Sequence, residues 1–315
     1  MKIAIIDDFQ GAALESADWS PVEALAEVTV FRDHLTDIDA LVSRLQSFDA
    51  ICVMRERTPF NHALLTRLPN LKYIGSNAPS NASIDLDTAK KMGVTVTYTD
   101  GVGNGAPELA WALIMASARH IPVETHSLRN GGWQLTVGQD LEGATLGIMG
   151  LGRIGTKIAA IGRVFGMRVI AWSENLTAEK AQAAGVELVD KETLLRQSDW
   201  LTVHLVLSQR SRLIIDASDL ALMKPSAWLV NTSRGPLVNE TALIDALKRR
   251  TIAGAALDVF DNEPLAPSHP FRTMDNVIAT PHLGYVTRRT YNVFFQQAVD
   301  NLAAWLKGDP IRTMS

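Results

Sequence analysis

Thr145-Leu-Gly-Ile-Met-Gly150-Leu-Gly152-Arg-Ile-Gly155 reads as a short apolar strand that runs into a glycine turn and then into a helix over residues 156–165. Gly150, Gly152 and Gly155 supply the spacing G-x-G-x-x-G. In a dinucleotide site the first glycine permits a tight turn. The second lets the backbone approach a pyrophosphate, and the third lets the helix pack closely on the strand. The N-terminus of the following helix offers unpaired N–H groups and the positive end of a dipole to phosphates. A strand before the glycines and a helix after them give the pattern the context it needs, so a nucleotide site is expected here.

The pattern of strands and helices repeats on both sides of this turn. Upstream, residues 2–6, 28–31, 50–54, 72–75 and 94–97 read as short buried strands, with helical stretches such as 37–46 and 61–68 between them. Downstream, strands are expected at 145–149, 168–172, 186–189, 200–205, 227–231, 253–257 and 277–279. Alternating β and α segments imply parallel sheets covered by helices on both faces. Gly101-Val-Gly-Asn-Gly-Ala-Pro107 reads as a hinge between domains, and a long apolar helix follows over 108–119. Residues 288–306 have helical apolar spacing and no site chemistry of their own, so they are expected to cross back to the first domain. The expected division is a substrate domain over 1–101 and 284–315, with a nucleotide-binding domain over 102–283 inserted into it.

Composition narrows the possible partners. The chain has 315 residues, 47% of them hydrophobic, and a net charge of −4. Its mean hydropathy is +0.06. This acidic balance gives no reason to expect nucleic acid or an anionic membrane, and no apolar run approaches the ~20 residues of a membrane span. The first residues turn acidic too soon for a signal peptide. The one cysteine, Cys52, lies in the apolar run Ala50-Ile-Cys-Val-Met54, where a buried strand residue is expected rather than a nucleophile. Cytoplasmic residence is the resulting expectation.

Three later segments place reactive side chains just past expected strands: Val230-Asn-Thr-Ser-Arg234-Gly-Pro, Leu257-Asp-Val-Phe-Asp-Asn-Glu263-Pro and Ala279-Thr-Pro-His282-Leu-Gly. Ligands of open α/β sheets sit off the carboxyl ends of the strands, so these are candidates together. Separately, Arg234 also reads as a surface charge, Glu263 as a turn residue and His282 as an ordinary loop histidine. Arginine clamps a carboxylate in bidentate fashion and polarises a neighbouring carbonyl. Histidine exchanges a hydroxyl proton near neutral pH. A carboxylate on its other ring nitrogen fixes the tautomer and favours the proton donor. This is the set required for hydride transfer to a 2-keto acid. His204 is expected to have no side-chain role in catalysis, and His34, His62, His120, His126 and His269 have no supporting context. No metal site is expected.

The cofactor preference is read at the end of the second strand of the nucleotide domain, Val169-Ile-Ala-Trp-Ser173-Glu174-Asn175. About 20 residues past the glycine turn, an Asp or Glu would grip the ribose hydroxyls of NAD. Ser173 stands there and Glu174 follows it. A carboxylate at 174 repels a 2′-phosphate, and no Arg or Lys stands beside it, so NAD is expected over NADP.

The sequence resembles the D-isomer-specific 2-hydroxyacid dehydrogenase family over nearly its whole length. The resemblance is carried by Leu146-Gly-Ile-Met-Gly-Leu-Gly-Arg-Ile-Gly155, Asn231-Thr-Ser-Arg-Gly235, Ala256-Leu-Asp-Val-Phe-Asp-Asn-Glu-Pro264 and Thr280-Pro-His-Leu-Gly284, in this order. It implies an α/β architecture of two Rossmann-like domains, a doubly wound cofactor domain inserted into a flavodoxin-like substrate domain. It also implies that Arg234 binds the substrate, that His282 is the acid/base and that Glu263 pairs with it. By the same resemblance Arg153 and Ile154 lie over the pyrophosphate and Asp258 lies near the nicotinamide carboxamide, with Thr232 also among the cofactor residues. A homodimer through the cofactor domains is implied, and so is a small D-2-hydroxy or 2-keto acid substrate.

The sequence departs from the family at the loop after the fourth strand, Gly75-Ser-Asn-Ala-Pro79-Ser-Asn81. Proline lacks an N–H, so Pro79 removes one donor for a substrate carboxylate. Asn77, Ser80 or Asn81 would compensate with side chains. Arg55 follows a strand end and reads either as a contact for a second carboxylate or phosphate or as a solvated charge. A chain ending at Ser315 is expected to lack an added regulatory domain. Since fold does not fix function, a non-enzymatic NAD(H)-sensing, corepressor-like binding protein is the alternative. Formate oxidation is disfavoured because Glu263, not an amide, stands beside the histidine.

Overall fold

The computed structural model describes residues 1–314. They form two compact units, residues 1–103 with 286–314, and Asn104–Tyr285.

The first unit holds a five-stranded parallel sheet: β1 (Lys2–Ile5), β2 (Glu27–Val30), β3 (Ala50–Val53), β4 (Tyr73–Ser76) and β5 (Thr95–Tyr98). Their spatial order is β2-β1-β3-β4-β5, the flavodoxin-like order, whose switch point lies between β1 and β3. Of the three inner strands, β3 and β4 are buried at every position, as continuous apolar runs between two helical layers should be. Cys52 is 1% exposed, and burial pushes its thiol up to about 12. The helix Arg288–Leu306 belongs to this unit. Tyr291, Phe294, Phe295 and Leu302 form its buried stripe.

The second unit holds a seven-stranded parallel sheet: β6 (Thr145–Met149), β7 (Arg168–Trp172), β8 (Glu187–Leu188), β9 (Trp200–Val203), β10 (Trp228–Asn231), β11 (Gly254–Leu257) and β12 (Val277–Ala279). The order β12-β11-β10-β9-β6-β7-β8 reverses direction at β6, so this is a doubly wound sheet. Leu146 and Ile148 face one apolar layer with Trp111, Ile114 and Ile158. Met149 faces the other with Leu201, Val203 and Leu229. The expected fold class is the one found.

Several boundaries differ from the sequence reading. The helix after the glycine turn spans Arg153–Val164 and so begins three residues early, with Arg153, Ile154 and Gly155 in its first turn. Close packing explains Gly155, where a Cβ would strike the carbonyl oxygen of Gly150. The expected hinge over 101–107 is partly helix, since Gly105–Ala118 is one element with Pro107 in its first turn, where proline costs no hydrogen bond. A second helix, Ile121–Arg129, was not expected. Pro122 opens it rather than ending the helix before it. Strand β9 stops at Val203, which leaves His204 in the following loop rather than in the strand.

Candidate active site in the nucleotide-binding unit

Gly150 has φ +104, a conformation L side chains rarely adopt, and a Cβ there would lie 2.7 Å from the carbonyl oxygen of His204. Gly152 caps the helix Arg153–Val164 without any side-chain cap. A Cβ on Gly152 would meet nothing within 4 Å. Space beside the start of this helix, at the carboxyl end of β6, is therefore open, and a helix N-terminus there suits an anionic ligand.

Two buried polar atoms close by in the fold lack a hydrogen-bond partner among the described residues, Thr232 Oγ1 after β10 and His204 Nδ1 after β9. Buried polar groups are rarely left so, and a bound dinucleotide along the strand ends would supply partners. A cleft at the carboxyl end of β7 is lined by Trp172, Ser173, Glu174, Leu176, Asp190 and Thr193, among others, and among the described residues no lysine or arginine lines it. Its two carboxylates oppose an added phosphate. The residues present fit NAD.

Three loops at the carboxyl ends of β10, β11 and β12 carry Arg234, Glu263 and His282. Asn231, the last residue of β10, shapes the first. Its side-chain amide donates to the carbonyl oxygen of Arg234 at 2.9 Å, and its Oδ1 accepts the N–H of Ser233 at 3.0 Å. Arg234 is half-buried in extended backbone, and its Nη1 donates to the carbonyl oxygen of Ser233 at 2.8 Å.

His282 Nδ1 donates to Glu263 Oε2 at 2.5 Å. An ionised carboxylate only accepts, so the proton of this pair sits on Nδ1 and Nε2 is the ring atom left for chemistry. The other oxygen of Glu263 accepts the N–H of Phe260 at 2.9 Å. His282 has φ +54, an uncommon conformation for a non-glycine residue that marks a constrained position.

Asp258 fastens residues on both sides of His282. It is wholly buried and accepts the Oγ1 hydrogen of Thr280 at 2.6 Å, the N–H of Leu283 at 2.7 Å and the N–H of Gly284 at 2.8 Å. Burial pushes its carboxyl above the ordinary range, against the lowering effect of these donors and of nearby His282. Thr280 and Asn231 were not singled out in the sequence. Both stand directly at strand ends, and that position was the available signal.

In the first unit, the substrate candidates sit on the loops after β3 and β4. Arg55 has φ +52, and Asn81 Nδ2 donates to its carbonyl oxygen at 2.6 Å. Asn81 Nδ2 also donates to Ser76 Oγ at 3.2 Å, while its Oδ1 accepts from Ser83. Asn81 is thus engaged in bracing two loops, which corrects its expected role as a replacement donor for Pro79. Asn77 is buried with its N–H on the carbonyl oxygen of Val53 and its Oδ1 without a partner among the described residues, while Ser80 is exposed.

Residues 111–284 match the family model described as D-isomer specific 2-hydroxyacid dehydrogenase, NAD binding domain. The chain is 40% identical over 281 residues to a glyoxylate reductase of Aeropyrum pernix, covering 86% of this chain and 83% of that protein. It is 36% identical over 313 residues to a D-3-phosphoglycerate dehydrogenase of Methanocaldococcus jannaschii, covering 98% of this chain and 58% of that protein. Among solved structures, a phosphoglycerate oxidoreductase from Vibrio cholerae matches with a TM-score of 0.92 at 38% identity, covering 98% of this chain and 99% of that one.

Proposed function

The chain belongs to the D-isomer specific 2-hydroxyacid dehydrogenase family of NAD-dependent oxidoreductases, and from that premise we propose that it reduces a small 2-keto acid, such as glyoxylate or hydroxypyruvate, to the D-2-hydroxy acid. The observation that carries this reading is the His282–Glu263 pair, set on neighbouring strand-end loops of the sheet that also carries Arg234. Arg234 clamps the substrate carboxylate and polarises the keto group. His282 delivers the proton from Nε2 to the carbonyl oxygen, while Glu263 holds Nδ1 and stabilises the charged ring. The bound nicotinamide supplies the hydride. Gly150, Gly152, Arg153, Ile154 and Gly155 hold the pyrophosphate. Ser173 and Glu174 take the adenosine ribose, and Thr232 and Asp258 serve the nicotinamide end. Selectivity among acids is assigned to Arg55, Asn77 and Ser80.

The same proposal includes a homodimer through the nucleotide-binding unit. Leu128, Trp133, Leu135 and Val137 are 61%, 72%, 66% and 90% exposed along one segment of it, and such a run of exposed apolar side chains marks an interaction surface. It also includes cytoplasmic residence. Among the described residues no helix is long and apolar enough to cross a membrane.

The test is consumption of NADH and NADPH across a panel of 2-keto acids. Turnover with NADH, lost by about 10²–10⁴-fold in His282→Gln, is the expected result. Bound NADH with no turnover on any member would favour a nucleotide-sensing binding protein instead, and so would a His282→Gln variant within a few-fold of wild type.

A further inference from the structure

We propose that Glu240 is a positioning residue that fastens both ends of the loop presenting Glu263 to His282. The proposal rests on the catalytic reading of that pair given above. Residues 261–264 and 266–268 are exposed, and 261–269 form neither strand nor helix. A loop of this kind is not fixed by burial, yet it must hold one carboxylate oxygen on one ring nitrogen.

Its fixed points converge on one side chain. Glu240 Oε2 accepts the N–H of Asp261 at 3.3 Å, and Glu240 Oε1 accepts from His269 Nε2 at 3.1 Å. His269 Nδ1 in turn accepts the N–H of Phe271 at 3.3 Å, so the ring proton belongs on Nε2, where it faces Glu240. One carboxylate thereby holds the residue two before Glu263 and the residue six after it. Arg272 pins the middle of the same stretch, donating to the carbonyl oxygens of Leu265 at 2.5 Å and Ala266 at 2.9 Å.

The anchor is itself tied to the substrate clamp. Glu240 is the first residue of the helix Glu240–Lys248, capped by Asn239, and a carboxylate is stabilised in that first turn. It stands six residues past Arg234. Between them Gly235 lies so close to the backbone of Phe260 and Asp261 that a Cβ there would overlap it. The segment carrying Arg234 therefore braces the loop carrying Glu263 at two points. Asp261 bears the mark of this proximity: burial first, and then the Glu240 charge, push its carboxyl up, opposed by Arg212.

The test compares Glu240→Gln and His269→Gln in the full-length protein, with His282→Gln as reference. It uses NADH and the best substrate of the keto-acid panel. Glutamine at 240 keeps the length but turns one acceptor into a donor facing an N–H. In Glu240→Gln, kcat is expected to fall by about 10-fold or more, as misplacement of a catalytic group does, while the NADH Kd stays within about twofold. The far-downfield proton resonance of the His282–Glu263 hydrogen bond is expected to broaden or vanish. His269→Gln, which keeps an N–H donor, is expected to retain more of both signals than Glu240→Gln.

An unchanged kcat with the downfield resonance intact in Glu240→Gln overturns the proposal. So does a loss of kcat matched by loss of NADH binding and of Tm, which would mean a purely structural role. If Glu240→Gln does not fold, His269→Leu, which removes the other half of the clamp, gives the same two readings. A His282→Gln variant that still turns over would instead remove the catalytic reading beneath the proposal.

Discussion

The buried carboxylate of Asp258 accepts the backbone N–H of Gly284 at 2.8 Å, which makes an acidic side chain the fixed point of the turn that carries His282. Its other oxygen holds Thr280 and Leu283 on the near side of the same turn. Asp258→Asn keeps the volume but places an NH₂ against at least one of these donors. A buried donor left without an acceptor costs about 1–3 kcal/mol. The expected outcome is a loss of that size in urea unfolding, together with a lower kcat. A variant as stable and active as wild type would count against this account of the turn.

Gly150 and Gly152 separate backbone strain from ligand approach. Gly150→Ala must adopt φ +104 and press on the His204 carbonyl, so it should lower Tm as well as NADH affinity. Gly152→Ala meets nothing within 4 Å and should fold like wild type. If the pyrophosphate approaches the backbone there, the NADH Kd of Gly152→Ala rises at least about 10-fold, roughly 1.4 kcal/mol. Fluorescence titration beside thermal melts reads both effects. Wild-type affinity in Gly152→Ala would place the phosphates elsewhere.

His204 predicts a pH effect on stability. Its Nε2 lies 2.9 Å from Thr202 Oγ1, and burial pulls its pKa from the ordinary 6.5 down to about 4. The folded ring stays neutral where the unfolded chain takes up a proton. Its contribution is therefore complete above pH 6.5 and is lost as pH falls toward 4, by roughly 3 kcal/mol at 1.36 kcal/mol per unit. Urea unfolding at pH 7.5 and pH 4.5 should show a gap narrower in His204→Gln than in wild type. Equal gaps would show that the ring takes up its proton in the folded state as readily as in the unfolded chain.

Trp133 and Val137 predict an association. Burying a large apolar side chain is worth about 1.5–3 kcal/mol, so Trp133→Ser combined with Val137→Ser should shift the protein toward monomer. Light scattering on wild type and variant at micromolar concentration checks this. A wild type that is already monomeric would remove the dimer from the proposal.

The fold was legible where side-chain pattern and element length agree. The strands Thr145–Met149, Arg168–Trp172 and Val277–Ala279 and the helix Arg288–Leu306 carry continuous or periodic apolar runs, and these signals are local. The helix Ile121–Arg129 was hidden because Pro122 reads equally as an end and as a beginning. In the site, Arg234, Glu263 and His282 stood out by their place after strands. The geometry joining Glu263 to His282 spans 19 residues of chain, and residue types alone do not carry that distance. Glu240 and His269 lacked any local signal, because their meaning lies in a contact 29 residues apart. His269 thus gains a context that its sequence neighbours did not provide.

Cys52 has a practical consequence for the experiments above. It is the only thiol in the chain, wholly inside the sheet, and its proton is held so firmly that the reactive thiolate is scarce at neutral pH. A single cysteine introduced at any exposed position would therefore be the one group that a maleimide dye or spin label finds. Two such sites, one in each unit, would allow distance measurements with and without NADH on an otherwise native chain, with Cys52 left in place.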